Sequence, residues 1–261
     1  MIITFMSDFG TEDGYTGSVK GVLLNLAPQA TVVDITHAIP PFDIKRAAYT
    51  LLNYFNSFPS GTVHLIVVDP GVGSQRKPLI LQTDDYFFVG PDNGIFDLLQ
   101  YREKYKIWRI LEKKVNPKID SATFHGRDLF APAAAMLANG VSPQTIGKKE
   151  TAANPKPTFV SLSGNRCNVP ILAVDHFGNI ITALHRNDLN RLQKSIKWVA
   201  FKNFKTDHIQ KYYAEAQKGE PLALWNSLDF LEIAVREASA ARYFKVNAQK
   251  ESVTVELKDH I

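Results

Sequence analysis

The sequence predicts an α/β fold: an N-terminal, mostly parallel sheet with flanking helices, followed by a smaller C-terminal antiparallel β-barrel domain. Three observations predict it. Strand and helix patterns alternate as β-α-β-α-β over the first 68 residues, the order that builds a parallel sheet with helices packed on it. Residues 151–168 are poor in periodicity and rich in Pro, Ser, Asn and Thr, as domain boundaries are. Beyond them short strands recur at irregular spacing, which suggests a small antiparallel barrel. The expected division is an α/β domain over 1–155, a linker over 156–168 and a β-barrel domain over 169–261.

Each element follows from its pattern. Residues 2–6 form a short apolar run that reads as a buried strand. Residues 15–26 carry Val19, Val22, Leu23 and Leu26 at helical spacing, and Pro28 stops them. TVVDIT, residues 31–36, is β-branched and reads as a strand. A helix is expected over 43–55, with Asp43 as N-cap and Ala47, Leu51, Tyr54 and Phe55 on one side. Residues 62–68 are again a strand. Residues 78–83 and 86–90 form a hairpin across Asp84-Asp85, 94–100 a short helix and 105–111 a further strand. The alanine-rich segment 127–138 is helical, with Pro132 near its first turn. In the second domain, strands are expected over 171–174, 180–184, 198–201, 222–225, 231–235 and 253–257.

Composition narrows the class. Hydrophobic residues make up 45% and charged residues 21% of 261, which excludes wholesale disorder. The single cysteine, Cys167, excludes an intrachain disulfide, a CxxC pair and a thiolate zinc cluster, and fits a reducing cytoplasm. The opening decapeptide lacks a basic n-region, and Ser7 and Asp8 break its apolar run, so a signal peptide is not expected. No apolar run reaches the ~18 residues of a membrane span. Net charge is +4, yet the basic residues are scattered and their densest clusters contain or adjoin glutamates, which argues against nucleic acid as a partner.

Ligands of an α/β sheet gather beyond the carboxyl ends of its strands, and polar clusters fall there. Ser7-Asp8-Phe9-Gly10 follows the first strand, His37 the second, and the segment from Asp69 to Arg76 the third. Phe124-His125-Gly126-Arg127-Asp128 opens the alanine-rich helix. One aspartate at such a place is commonly a loop cap. Asp8 and Asp69, on two strands of one sheet, point to a shared cleft. Gly71-Val72-Gly73 is not a dinucleotide fingerprint, because Arg76 stands where the third glycine belongs and Pro78 opens a strand rather than a helix. The sequence has no GK[ST] for a P-loop, no HExxH and no paired histidine spacing for zinc. His64, inside an apolar strand, reads as a core residue, His37 as a loop residue, and Asp128 as a helix cap. Asp175-His176-Phe177-Gly178-Asn179 reads as a turn after a strand, and the segment from Asn226 to Val235 as a turn into a strand.

Seven motifs in order carry a resemblance: SDFGTxD (7–13), DITHxIxPFD (34–43), VVDPGVGSxR (67–76), GPDNG (90–94), FHGRD (124–128), DHFGN (175–179) and NSxxxLEIA (226–234). Together they resemble the S-adenosylmethionine hydrolases, or S-adenosylmethionine hydroxide adenosyltransferases, relatives of the fluorinase and chlorinase halogenating enzymes. The resemblance spans essentially the whole chain. It implies a homotrimer with active sites between subunits, converting S-adenosylmethionine and water to adenosine and L-methionine; no cofactor or metal is expected. It implies an Asp-Arg-His catalytic set at Asp69, Arg76 and His125, with Asp8 on the ribose and Phe42 in the pocket wall near the sugar. Asp175 would meet the methionine amino group, Asn179 the adenine and Ser227 the methionine end. Val235 and Glu237 belong to the stretch that would touch adenine, largely through its backbone. Here the chain departs from the family, whose sequence at 236–239 is commonly Asn- and Gly-rich. The halogenating relatives carry tyrosine where Asp69 stands and a hydroxyl residue where Val72 stands, so this chain has the hydrolase pattern at both places.

The alternatives are a halogenase, a non-catalytic adenosine or S-adenosylmethionine binding module and, most remotely, a basic RNA-binding protein. Asp69 argues against the halogenase, because an anion pocket disfavours a buried carboxylate.

Overall fold

The computed structural model describes residues 1–118, 122–150, 161–248 and 250–259, the side chains of 161–163 excepted. The chain divides into two compact units, Met1–Pro155 and Lys156–Ile261.

Unit 1 runs β1 (Ile2–Ser7), α1 (Tyr15–Leu26), β2 (Thr31–Thr36), α2 (Ile44–Tyr54), β3 (Val63–Val67), β4 (Pro78–Gln82), β5 (Phe87–Pro91), β6 (Lys106–Ile110), α3 (Glu112–Val115), α4 (Ala131–Ala138), α5 (Pro143–Ile146) and β7 (Gly147–Glu150). Its strands form one sheet in the order β2-β1-β3-β5-β4-β6-β7. The sheet is mixed. Pairings β2/β1, β1/β3 and β3/β5 are parallel, the first two as the β-α-β-α-β order requires. The remaining pairings, through the β4/β5 hairpin to β6 and β7, are antiparallel.

The strand sequences match their places. β3 is buried along its whole length, as an inner parallel strand covered on both faces must be, whereas β2, at the sheet edge, is only half-buried. α1 lays Val19 and Leu23 into a core shared with Ile3, Phe5, Val63, Leu65 and the alanine-rich α4. The alanines let α4 approach closely, and Pro132 sits in its first turn, where a missing N–H costs nothing. The Asp43 carboxylate caps α2 by accepting the Arg46 N–H at 3.0 Å. The short helix expected over 94–100 is a 3₁₀ turn at Asp97–Tyr101.

Unit 2 contains β8 (Ser161–Ser163), β9 (Arg166–Val174), β10 (Ile180–His185), α6 (Arg186–Leu192), β11 (Lys194–Phe201), β12 (Phe204–Thr206), β13 (Pro221–Trp225), β14 (Phe230–Val235), α7 (Ala240–Tyr243) and β15 (Ser252–Asp259). The strands run β12-β11-β15-β9-β10-β14-β13, with β8 also on β9, and every pairing is antiparallel. Just past β12, Gln210 donates its N–H to Ala223 of β13 at 2.8 Å and bridges Leu224. That contact joins the two ends of the strand order and nearly closes a barrel.

Residues 161–163 and 166–168, expected in a linker, are strand. Residues 161–163 pair with 166–168 as a tight hairpin across Gly164-Asn165, and on the other side of β9 Cys167 pairs with Val255 and Asn168 with Thr254, far along the chain. The rest of that segment, 151–160, lies outside the described residues. Helix α6 was also unexpected. It opens with a reciprocal cap in which His185 Nδ1 accepts the Asn187 N–H at 3.0 Å and Asp188 Oδ2 accepts the His185 N–H at 3.1 Å. Histidine is not among the usual N-cap residues.

Candidate active site

Unit 1 holds a cleft of about 250 Å³ beyond the carboxyl ends of β1 and β3, lined in part by Asp8, Phe42, Asp69, Val72, Phe124 and His125. Four of the residues singled out in the sequence therefore face one space, and the fifth, Arg76, binds two of them. Its Nε lies 3.0 Å from both Asp69 carboxylate oxygens, and Nη2 also donates to Oδ2. Nη2 lies 2.7 Å from His125 Nδ1. The Asp69 side chain is 6% exposed and that of Arg76 8%, so this ion pair is largely withdrawn from solvent, with the guanidinium over the Phe130 ring at 5.2 Å.

A guanidinium can only donate. His125 Nδ1 is therefore the acceptor, and the proton of the neutral ring sits on Nε2. Burial, and then the Arg76 charge, push His125 below its ordinary value, so the ring is neutral at neutral pH. Asp8 moves the other way. Burial pushes its carboxyl up, the Phe42 N–H donating to Oδ2 at 2.9 Å partly offsets this, and the nearby Asp69 charge adds to the rise.

Local geometry explains how residues distant in sequence meet. Two successive turns fold the chain back after β3: Val72 N–H donates to Asp69 O at 3.2 Å and Ser74 N–H to Gly71 O at 3.0 Å. The second requires Gly73 at φ 77°, and a Cβ there would stand 2.8 Å from the Ala122 carbonyl oxygen. Arg76 is thereby returned to Asp69. His125 precedes a π-helical turn, Gly126–Phe130, that leads into α4; such turns are rare and often mark functional sites. Gly126 lets that turn touch the sheet, since a Cβ would lie 3.1 Å from the Phe9 ring and 3.3 Å from Val67. Asp128 does not cap the helix; it pairs with Arg127 at 2.7 Å.

Sequence reasoning did not single out the aromatic lining. Phe9, Tyr15 and Phe124 meet edge-on or tilted at 5.3–6.1 Å between centroids and line the cleft. The available signal was adjacency: Phe9 follows Asp8, and Phe124 precedes His125. Phe42 is 70% exposed and holds φ 67°, an unusual backbone for a bulky residue.

The other expected site residues lie on unit 2. Asp175 and Asn179 close one turn between β9 and β10, where Asp175 accepts the Asn179 N–H at 2.8 Å and Nδ2 at 2.9 Å. Gly178 of that turn accepts the Ala241 N–H at 2.8 Å. Ser227 lies in the turn that opens β14, and buried Val235 ends that strand. Glu237, at φ 56°, pairs on the surface with Lys218 at 2.8 Å. Glu232, not anticipated, is buried in β14 and accepts the Tyr213 hydroxyl at 2.7 Å. Among the described residues, no group of three or more His, Cys, Asp or Glu is placed to hold a metal ion, and no helix is long and apolar enough to cross a membrane.

Residues 3–147 match the model of the SAM hydroxide adenosyltransferase N-terminal domain and residues 169–253 that of the C-terminal domain. The chain belongs to the SAM hydroxide adenosyltransferase family. A relative from Thermus thermophilus named (R)-S-adenosyl-L-methionine hydrolase is 37% identical over 249 residues, covering 91% of this chain and 93% of that one. A protein of the same name from Methanocaldococcus jannaschii is 33% identical over 260 residues, 94% of this chain and 92% of that one. A solved structure of an uncharacterized conserved protein from Thermotoga maritima superposes with a TM-score of 0.80 at 30% identity, covering 97% of this chain and 99% of that one. A fluorinase from Actinoplanes sp. is 26% identical to this chain over 284 residues, 95% of each chain.

Proposed function

We propose that this protein hydrolyses S-adenosyl-L-methionine to adenosine and L-methionine by attack of water at the ribose C5′ carbon. The observation that carries the reading is the Asp69–Arg76–His125 chain, buried behind a cleft that also presents Asp8. A C5′–O bond forms from water while the C5′–S bond breaks. Its electron pair stays on sulfur, which turns the sulfonium into a neutral thioether. The leaving group therefore needs no acid, and the reaction needs no resident metal or cofactor. What it lacks is a good nucleophile.

In this reading Asp69 accepts a hydrogen bond from the water and takes up, or passes to solvent, the proton released. Arg76 holds the carboxylate and stabilises developing hydroxide. His125, with Nδ1 committed to Arg76, offers only Nε2–H, so it donates to the water oxygen and orients it. Base assistance typically supplies ~10²–10⁴-fold, whereas orientation supplies roughly 7–11 kcal/mol. Positioning is thus the larger share, and Asp8 on the ribose hydroxyls, with Phe42 as pocket wall, contributes to it.

Asp175 on the methionine amino group, Asn179 on adenine, Ser227 on the methionine end, and Val235 and Glu237 near adenine complete the substrate contacts of this reading. The setting of this reading is a homotrimer with active sites between subunits, carried from the resemblance, in a cytoplasm the single cysteine fits and with no nucleic-acid or membrane partner. Light scattering should give three times the chain mass.

The reaction is tested by incubating the protein with S-adenosylmethionine in H₂¹⁸O, with and without chloride or fluoride. Adenosine labelled at the 5′ oxygen, with an equal amount of methionine and no halide dependence, is expected. A 5′-halogenated nucleoside, or substrate that is bound but unchanged, would overturn the reading.

A further inference from the structure

Outside the cleft lining, a polar chain that runs from buried Ser7 and His37 to half-exposed Asp34 and Lys20 has no role in the mechanism. Ser7 Oγ lies 2.7 Å from His37 Nδ1, and His37 Nε2 lies 3.2 Å from Asp34 Oδ1. Lys20 Nζ donates to Asp34 Oδ2 at 2.7 Å. Asp34 accepts from Lys20 and from His37 Nε2–H, Ser7 Oγ and His37 Nδ1 share one hydrogen bond, and Ser7 Oγ accepts the Phe9 N–H at 3.4 Å. Burial pushes the Asp34 carboxyl up, but the bonds from Lys20 and His37 more than offset it and hold it below the usual value.

The composition is that of a nucleophilic triad, but the placement is not. Ser7 is fully buried and is absent from the cleft lining, so no substrate carbonyl can reach its oxygen. The chain instead joins two loops. β1 and β2 are parallel neighbours, so both chains leave the sheet at the same edge. There Gly10 N–H donates to the His37 carbonyl at 2.9 Å, and Phe42 N–H donates to Asp8 Oδ2 at 2.9 Å. His37 thus ties the β1 loop to the β2 loop through its ring and its backbone. The residue after Ser7 is Asp8, and five residues beyond His37 stands Phe42 in its left-handed conformation. That conformation is unfavourable for a bulky side chain and persists only where its surroundings hold it.

We propose that His37, held between Ser7 and Asp34, is a positioning residue that fixes the Asp8 carboxylate and the Phe42 wall for the nucleoside sugar. It acts through Asp8 and does not touch substrate. The inference rests on the reading of Asp8 as the sugar-binding carboxylate, and the two are tested together.

Adenosine affinity by calorimetry, with KM and kcat for S-adenosylmethionine, is compared in the parent, Asp8→Ala, His37→Ala, His37→Asn and the Asp8→Ala/His37→Ala double variant. The expected loss in His37→Ala is about tenfold in affinity and KM, with kcat changed less than about threefold. His37→Asn, whose side-chain amide can still hydrogen-bond Ser7 in either direction, should recover part of it. In the Asp8→Ala background His37→Ala should add less than about twofold, because contacts that act as a unit are not additive. Losses that multiply in the double variant overturn the inference. So does an unchanged affinity in His37→Ala while Asp8→Ala weakens it. A silent Asp8→Ala overturns the sugar-binding reading itself, and the role of His37 with it. If His37→Ala does not fold, Ser7→Ala breaks the same link and carries the same comparison.

Discussion

His64 and His125 are both buried in unit 1 and both held neutral, but for different reasons. His64 sits within 5.0–6.2 Å of the rings of Tyr54, Phe55, Phe58, Tyr86 and Phe88. Burial alone pushes it down to about 3. Its Nδ1 meets Thr4 Oγ1 at 2.8 Å, and its Nε2 has no partner. At His125 burial is joined by a guanidinium that takes up Nδ1, and the ring lines a cleft. Desolvation fixes the charge of a ring. Only a directional partner fixes which nitrogen carries the proton, and only an open neighbouring space lets that proton act on a substrate.

The largest effect expected from this contrast is at Asp69, the other end of the His125 chain. Asp69→Asn keeps the shape and one acceptor for Arg76 but removes the charge. Turnover should fall ~10²–10⁴-fold, measured as adenosine released, while adenosine affinity changes less than about threefold. Equal turnover in variant and parent would remove Asp69 from the mechanism and leave His125 no better placed for chemistry than His64.

Next comes the ion pair itself. Arg76→Met strands a buried carboxylate and frees His125 Nδ1. Removing one partner of a buried pair costs roughly 3–5 kcal/mol, to be read from urea unfolding. The Asp69→Asn/Arg76→Met double variant, with no charge left to strand, should recover most of that stability and none of the turnover. If the two single losses simply add, the pair is not the coupled unit that the geometry describes.

How far the sequence could take a reader depended on where each interaction partner lies. The β-α-β-α-β order and the Asp43 cap are local signals, and both appear where the pattern puts them. The turns that return Arg76 to Asp69 are also local, but the hydrogen bonds between them depend on side-chain directions that spacing alone does not give. The aromatic wall was hidden because Phe9, Tyr15 and Phe124 meet only once α1, β1 and the π-helical turn are packed. The start of β9 takes one ladder partner from β15, far along the chain, whereas β8 pairs with β9 itself in a local hairpin that the Pro-, Ser- and Asn-rich composition of the segment masks. The roles of Asp8, Phe42, Asp69, Arg76 and His125 came from motif resemblance. The geometry adds which atoms face one another, and with that the tautomer of His125.

The smallest effect is expected at His64, and it takes the form of a slope rather than a loss. A ring that remains neutral in the folded protein down to about 3, but takes up a proton near 6.5 once unfolded, makes the unfolded state the tighter proton binder in between. Stability from this group is complete above about 6.5 and declines by up to about 1.4 kcal/mol per pH unit as acid is added, levelling off near the folded value. Replacing both polar partners, as Thr4→Val/His64→Phe, should leave stability at neutral pH within about 1 kcal/mol of the parent, because a buried pair exchanged for apolar groups of similar shape is nearly neutral. The same variant should lose part of the acid slope in urea midpoints between pH 6 and pH 4. Turnover should be unchanged, since the aromatic cage does not border the cleft lining. An unaltered slope would mean that His64 protonates in the folded protein as readily as in the unfolded chain, and that burial within the cage does not hold the ring neutral.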